Sequence, residues 1–524
     1  MFSGRELNAG APFFRGAAAA SVLLLAMPFV LMFSSGAQGL VGVESAEPSV
    51  EGDADPYEHA WQFWWVSRAL GNGSDPRFSP LIYAPEGASL AYDHVGWFDT
   101  LLFGLSGLGE GMPALAHSLS LLSGTILTAF FGWLLARSWG AGAYGALFAA
   151  LAMAWLPART SHLLQHYQVA NCWALPAAMW SVTLYLRDGR SRVLAIFGLF
   201  SLAGGLESPF ISLFIGASLP AVRLAVGGSW RRTGYLALAW GLPTAGLGLL
   251  AATAPGVTGA LAPHWREAVY WAAEPQSFLL PSPFGVAAGF TGLPARLGWM
   301  PNAAEGVVTP GLTVLALFIL HTWRKRDWRL AVPVAGLWLL SLGPELKLLG
   351  RSTGIPLPFR LFQFLPVLEG VRAPSRFAIP AGMLVALAAG MAFSRSATRW
   401  KPVLFALLLL ELGLPSLPVL PTRVPEACLQ VDEGDTVLEV PVDPTVRRYS
   451  WFQTAGGYRR RYAFLARLPS MRDAGRILEE SLEDGNVTIM YHRWLYRPQE
   501  RMNLDRELAP VFPAGSPSDS VWVR

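Results

Sequence analysis

Apolar residues along this chain gather in long blocks separated by short polar or basic stretches. Eleven blocks approach the roughly 20 apolar residues that a membrane-crossing helix needs. They are 16–36, 113–136, 141–157, 170–186, 193–206, 209–225, 234–253, 307–322, 330–346, 377–394 and 402–420. Arg5 and Arg15 precede the first block, which has no clean small-residue cleavage site, so it reads as a retained anchor. The block 193–206 is short, covering about 21 Å as a helix. Glu207-Ser208-Pro209 follows it and places a proline in the first turn of a new helix. The two blocks on either side therefore read as a hairpin.

Short basic loops set the orientation. Arg187 to Arg192, Arg231-Arg232, Trp323 to Arg329, and Arg395, Arg399 and Lys401 all fall on one side, together with the N-terminus, when eleven spans are counted. Basic short loops stay in the cytoplasm, so the N-terminus is expected inside and the C-terminus outside. Residues 37–112, 254–306, 347–376 and 421–524 are then external. The last of these carries alternating runs such as Thr436-Val437-Leu438-Glu439-Val440 and the arginine groups Arg447-Arg448 and Arg459-Arg460-Arg461. The expected architecture is an all-α polytopic membrane domain over 1–420, with about eleven transmembrane helices, followed by a small extracytoplasmic α/β domain over 421–524.

Composition agrees with a plasma (inner) membrane protein. Hydrophobic residues make up 52% of the 524 and charged residues only 15%, against about a quarter in soluble domains. A soluble enzyme and a disordered chain are both excluded. The 40 basic and 36 acidic residues leave a charge of +4, too small to suggest a nucleic-acid partner. The 21 tryptophans fit membrane–water boundaries. Cys172 and Cys428 are too few for a disulfide framework.

Candidate chemistry concentrates in the first external loop. Glu51, Asp53, Asp55 and Glu58 cluster there, and Tyr57, Trp61, Trp64, Trp65 and Arg68 follow at helical spacing on one face. The pattern is that of an amphipathic helix lying in the membrane interface. Asp55-Pro56-x-Glu58 also reads as a helix start, with Asp55 as N-cap and Glu58 closing a capping box. A carboxylate fixed at that point is equally suited to act as a base or metal ligand. Asp93-His94, followed by Asp99, forms a second acidic group that also reads as a solvated loop or a cap. His162 and His166 share a helix face and could bind a metal or contact sugar or phosphate, although no third ligand is evident nearby and a polar rim is the plainer role. Glu207 is an acid within a membrane hairpin, where ionisable groups are costly and often functional. Arg266, Arg372 and Arg376 offer planar donors to phosphate, or surface ion pairs and headgroup anchors.

One leading span, an outer loop with a key aspartate, an interfacial helix, many spans and an outer C-terminal domain together resemble the GT-C membrane glycosyltransferases. The segment Asp53-Ala-Asp-Pro-Tyr-Glu-His-Ala-Trp-Gln-Phe-Trp-Trp is similar to their first-loop acidic motif. Tyr83-Ala-Pro-Glu-Gly-Ala-Ser-Leu, Ser282-Pro-Phe-Gly and Gly370-Val-Arg-Ala-Pro-Ser-Arg-Phe resemble stretches of bacterial members. The resemblance implies a polyprenyl-phosphate sugar donor in the membrane lipid and a glycan, lipid or protein acceptor. It also implies Asp55, with Asp53 second, as general base or as ligand of a divalent cation such as Mg or Mn. Sugar transfer would be a single displacement, with arginines stabilising the departing phosphate. A transporter or flippase of lipid-linked glycans, or a catalytically inactive relative acting as a scaffold, are the competing classes. A site lined by Asp55 at the outer surface would separate an enzyme from a transporter, which needs a continuous polar path.

Overall fold

The computed structural model describes residues 39–42, 53–257, 265–280, 282, 305–326, 328–365, 368–412, 417–440, 442–443, 446–463, 477, 480–481, 484, 486–492 and 521–523. Its helices there are α1 (Asp55–Gly71), α2 (Trp97–Leu105), α3 (Leu108–Gly111), α4 (Pro113–Ser138), α5 (Ala143–Ala154), α6 (Pro157–Leu163), α7 (Tyr167–Ala170), α8 (Ala174–Asp188), α9 (Ser191–Glu207), α10 (Pro209–Val226), α11 (Trp230–Ala252), α12 (Trp265–Tyr270), α13 (Leu312–Lys325), α14 (Trp328–Ser341), α15 (Ala378–Arg395), α16 (Lys401–Leu412) and α17 (Arg448–Gly456). The strands are β1 (Leu40–Val41), β2 (Phe78–Ser79), β3 (Ala88–Ser89), β4 (Glu345–Leu348), β5 (Arg351–Pro356), β6 (Val419–Leu420), β7 (Thr436–Val440), β8 (Arg459–Arg460), β9 (Val487–His492) and β10 (Val521–Val523).

Helices lie over the apolar blocks from 113–136 onward, while 16–36 lies outside the described residues. Among the described residues, five stretches are long and apolar enough to cross a membrane: Pro113–Ser138, Tyr167–Asp188, Pro209–Val226, Trp230–Ala252 and Pro374–Arg395. The chain breaks at Ser208, which is extended and whose hydroxyl accepts from the Phe210 N–H, so α9 and α10 are separate helices. Within the block 402–420, α16 covers Lys401–Leu412 and the end forms β6.

Packing in the bundle follows from small residues. A Cβ on Gly145 would stand 2.3 Å from the Gly390 carbonyl oxygen, and one on Gly390 would stand 2.5 Å from that of Gly145. These glycines let α5 and α15 touch backbone to backbone, as small residues do between membrane helices. The exposed Trp230, Trp323, Trp328 and Trp400 all sit beside the basic loops, where interfacial tryptophans are expected.

A second core joins the first loop to the C-terminal segment. β1 pairs antiparallel with β6, Leu40 opposite Leu420. The C-terminal strands form a sheet in the order β10-β9-β7-β8, with β7 parallel to both neighbours. Tyr57, Trp61, Trp64 and Trp65 of α1 are buried in one cluster with Leu438, Tyr449 and Phe452. The interface reading of α1 is therefore corrected. Its aromatic face is covered by protein, because the aromatic residues of α17 and the aliphatic residues of β7 offer an apolar partner that removes each large ring from water. Ala84 and Arg460 exchange backbone bonds with the two chains' neighbours: the Ala84 N–H donates to the Arg460 carbonyl and the Arg460 N–H to that of Leu81.

Candidate active site

Helix α1 begins one residue earlier than a capping aspartate would allow. Ala54 is the N-cap, extended at φ −159°, and it supplies no side-chain capping bond. Asp55 is the first helical residue, which corrects its reading as the cap. Its carboxylate instead lies between two partners, Arg447 Nε at 2.7 Å from Oδ1 and His166 Nε2 at 3.2 Å from Oδ2. A guanidinium from the C-terminal segment is a stronger partner for a carboxylate than the neutral amides of a first turn.

Asp53 is fully enclosed. Its Oδ1 accepts from the backbone N–H groups of Arg447 and Arg448 at 2.9 and 3.0 Å, at the start of α17, and its Oδ2 lies 3.2 Å from Arg447 Nη1. Burial raises its pKa against the pull of Arg447. Arg447 also reaches Glu58 Oε2 at 3.9 Å. Burial alone would loosen the guanidinium's proton, but the charges of Asp55, Asp53 and Glu58 hold it more firmly than usual. Burial also pushes Glu58 well up, helped by its hydrogen bond to Asp93. Asp93 accepts from Gln62 Nε2 at 2.8 Å and from the His94 N–H at 2.7 Å. Glu58 and Asp93 thus form a carboxyl pair in which Glu58 holds the proton. The second acidic position is joined to α1, while the His94 side chain is only partly buried.

The two histidines find the third ligand that local sequence lacks. His162 Nδ1 and His166 Nδ1 stand 3.4 Å apart, and His162 Nε2 is 3.6 Å from Glu305 Oε2. One ligand atom from each of His162, His166 and Glu305 lies within 4.8 Å of the others. Glu305 is held by Arg376 Nε at 2.8 Å and Ser375 Oγ at 2.7 Å. Burial tends to raise the Glu305 pKa, but Arg376 and the two histidines bring it down to about 2. Burial lowers His162 to about 4 and His166 well below its usual value. At neutral pH the cluster is two neutral imidazoles and one carboxylate.

Arg159 is buried, with no carboxylate partner among the described residues, and shapes the histidine segment. Its Nε donates to the Ala170 carbonyl at 2.6 Å and its Nη2 to Thr125 Oγ1 at 2.9 Å. It thereby ties the far end of the segment carrying His162 and His166 back to α4 and α6.

The remaining predicted residues divide. Glu207 is buried; its Oε2 accepts from the Asp99 N–H at 3.2 Å and so supports the first turn of α2. Asp99 itself is bonded to Ser120 and to Asn171 Nδ2. Both acids lie in the helix bundle, away from the Arg447 group. Arg376 is engaged by Glu305, while Arg372 keeps a looser contact with Glu267 at 3.7 Å. Arg266 is on α12, with its side chain outside the described residues. Sequence reasoning missed Glu305 and the role of Arg447. Glu305 is an isolated acid at the mouth of an apolar block, a weak signal, and Arg447 looked like part of a surface basic pair.

A family model described as "Domain of unknown function (DUF6311)" matches residues 19–412. Among curated proteins, none matches the chain by sequence. Among solved structures, arabinofuranosyltransferase AftD from Mycobacteria is similar with a TM-score of 0.58 and 14% identity, over 93% of this chain and 35% of that one. The chain therefore spans about a third of the length of that relative. The Archaeoglobus fulgidus oligosaccharyltransferase gives 0.53 at 12% identity over 93% and 70% of the two chains in its apo form, and 0.50 at 12% over 91% and 68% in complex with Zn and sulfate. ArnT from Cupriavidus metallidurans, bound to undecaprenyl phosphate, gives 0.52 at 12% identity over 96% and 97%. The chain has the GT-C fold of these membrane glycosyltransferases and is a membrane protein.

The geometry at Asp53 generates a test. Asp53→Asn removes the charge that meets Arg447 and the start of α17. A loss on the order of 1–3 kcal/mol is expected for weakening such buried charged hydrogen bonds. Limited proteolysis of the purified protein should then release C-terminal fragments that wild type protects, with a lowered melting temperature. An unchanged digestion pattern and melting point would contradict the docking role.

Proposed function

The chain belongs to the DUF6311 family, and from its GT-C fold we propose that it is a multi-pass membrane glycosyltransferase taking sugar from a polyprenyl-phosphate donor. In this reading residues 1–420 form the membrane domain and 421–524 an extracytoplasmic domain, with the N-terminus in the cytoplasm and the site facing outward. The observation that carries the proposal is Asp55, held between Arg447 and His166 at the start of α1. Among the first-loop acids, Asp53 is enclosed at 0% side-chain exposure, whereas Asp55 retains 16%. Of these two, Asp55 is the carboxylate that an acceptor hydroxyl can approach.

The chemistry follows from these neighbours. Asp55 Oδ2 takes the proton of the acceptor hydroxyl as its oxygen attacks the anomeric carbon. The bond from that carbon to the donor phosphate breaks, and polyprenyl phosphate leaves with the electron pair. His166 and Arg447 keep the carboxylate oriented for proton transfer. Arg372, with its looser partner, faces the developing phosphate charge; Arg376 holds Glu305 in place. Inversion at the anomeric carbon is expected of a single displacement. The acceptor is a glycan, lipid or protein.

The donor set His162, His166 and Glu305 fits a divalent cation. The imidazoles are neutral and the carboxylate ionised, as ligands must be. Two nitrogens favour Zn over Mg or Mn, which suit oxygen ligands. Asp55 stands beside this set through His166. A cation bound there would supply charge to polarise an oxygen near Asp55. The Archaeoglobus relative seen with Zn and sulfate supports the same reading.

Two outcomes are expected. In cells lacking the protein, wild type restores the missing glycan or lipid-linked sugar by mass spectrometry. Asp55→Asn, present in the membrane at normal amount, lowers the product by about 10²–10⁴-fold, the range of a positioned base. Full restoration by Asp55→Asn would remove it from the mechanism. Separately, Zn²⁺ at a hundred times its Kd should stabilise the purified wild type by about 2.7 kcal/mol. Chelator reverses the effect, and His166→Gln and Glu305→Gln abolish it. Equal shifts in wild type and both variants would refute the cation site.

A further inference from the structure

The segment between α14 and the site presents an apolar surface that protein does not cover. β4 and β5 form a two-stranded hairpin in which Leu348 pairs with Arg351, leaving Leu349-Gly350 as a two-residue turn. Both turn residues have positive φ, 49° for Leu349 and 78° for Gly350. Turns of this shape favour Asn-Gly, and a leucine with positive φ is uncommon. A leucine therefore occupies the tip of an exposed hairpin in a backbone conformation that suits it poorly. Around it, Leu348, Leu349, Ile355, Leu361, Phe364 and Leu365 are between 44% and 71% exposed. The first three belong to the hairpin, and the others to the 3-10 helix Pro358–Phe364 and the residue after it.

The hairpin is held firmly at its base. Lys347 Nζ donates to the Tyr270 carbonyl at 2.9 Å and lies 4.0 Å from Glu274, whose carboxylate also accepts from the Gly350 N–H at 2.9 Å. The exposed leucines are thus presented by an anchored element. The hairpin starts four residues after α14, where Val332 and Leu339 are 59% and 39% exposed, as on a helix that faces lipid. The exposed residues of the helix end at Leu339, and those of the hairpin begin at Leu348. Arg351 and Arg360 are exposed beside the leucines and the phenylalanine, as basic residues are where a protein meets anionic headgroups.

We propose that residues 345–365 dip into the leaflet on the side of the site, with Leu349 and Phe364 among the acyl chains and Arg351 and Arg360 at the phosphates of anionic phospholipids. The segment runs on to Arg372 and Arg376, so it forms the lipid-facing approach along which a lipid-linked donor phosphate reaches Arg372. The insertion rests on the membrane part of the reading above and does not depend on sugar transfer. The hairpin's place four residues after a helix with exposed apolar residues, and the exposed flanking Arg351 and Arg360, commit the surface to lipid rather than to a second copy of the chain.

The test is depth measurement in nanodiscs of phosphatidylethanolamine and phosphatidylglycerol, using the full chain with Cys172 and Cys428 replaced by alanine. Leu349→Cys, Leu361→Cys and Phe364→Cys are spin-labelled one at a time, with Arg459→Cys of the C-terminal segment as the aqueous reference. The ratio of collisions with oxygen to collisions with a water-soluble nickel chelate should be several-fold higher at 349, 361 and 364 than at 459. Equal ratios at all four positions would overturn the proposal. Spin–spin broadening that grows with protein density in the disc would overturn it in favour of contact between copies. Because the readout needs no substrate, high ratios in a protein that transfers no sugar would uphold the insertion while removing the transferase reading.

Discussion

One arginine holds together parts of the chain separated by almost 400 residues. Arg447 lies among Asp53, Asp55 and Glu58, and its backbone N–H bonds Asp53 from 394 positions away. Asp53 makes this contact fully buried, where breaking one partner of a charged pair is costly, on the order of 3–5 kcal/mol. The consequences spread outward. With Arg447 in place, α17 and its sheet cover the aromatic face of α1, and α1 in turn sets the direction of the Asp55 carboxylate. The C-terminal segment therefore contributes directly to the charge at the first-loop site.

Charge and neutrality alternate across the site in a way that suits group transfer. Asp55 and Glu305 each face a guanidinium, from Arg447 and Arg376. Between them stand His162 and His166, kept neutral by burial. Glu58 keeps a proton beside Asp93 for the same reason, so the acids of this crowded region are not all ionised at once. The carboxylate left with both an orienting imidazole and access from outside is Asp55. That asymmetry, more than the count of acids, is what supports its assignment as the base in the proposed reaction.

The helical character of the chain was legible because long apolar blocks have few alternatives in a membrane, and the break at Ser208 was legible because proline announces a helix start. Asp55 and the histidine pair could be singled out from spacing. What spacing could not reveal was company. Glu305 meets Arg376 across 71 residues and His162 across a longer separation still, and nothing local marks such a partner. The same limit produced the misreadings. An aromatic stripe looks alike whether lipid or another part of the protein covers it, and Asp-Pro-x-Glu reads as a cap until the residue before it proves to be the one in extended conformation. Arg376 looked available to phosphate because its partner lay out of local view.

The proposed transfer depends on a lipid phosphate coming to the Asp55 side of the histidine cluster. An experimental structure of the full chain in nanodiscs with a polyprenyl phosphate measures this directly. The phosphate should lie within charged hydrogen-bond distance, about 2.7–2.9 Å, of the Arg372 guanidinium, on the same side as the Asp55 carboxylate. A phosphate bound elsewhere in the helix bundle, with Arg372 still turned to Glu267 and Asp55 enclosed, would contradict it.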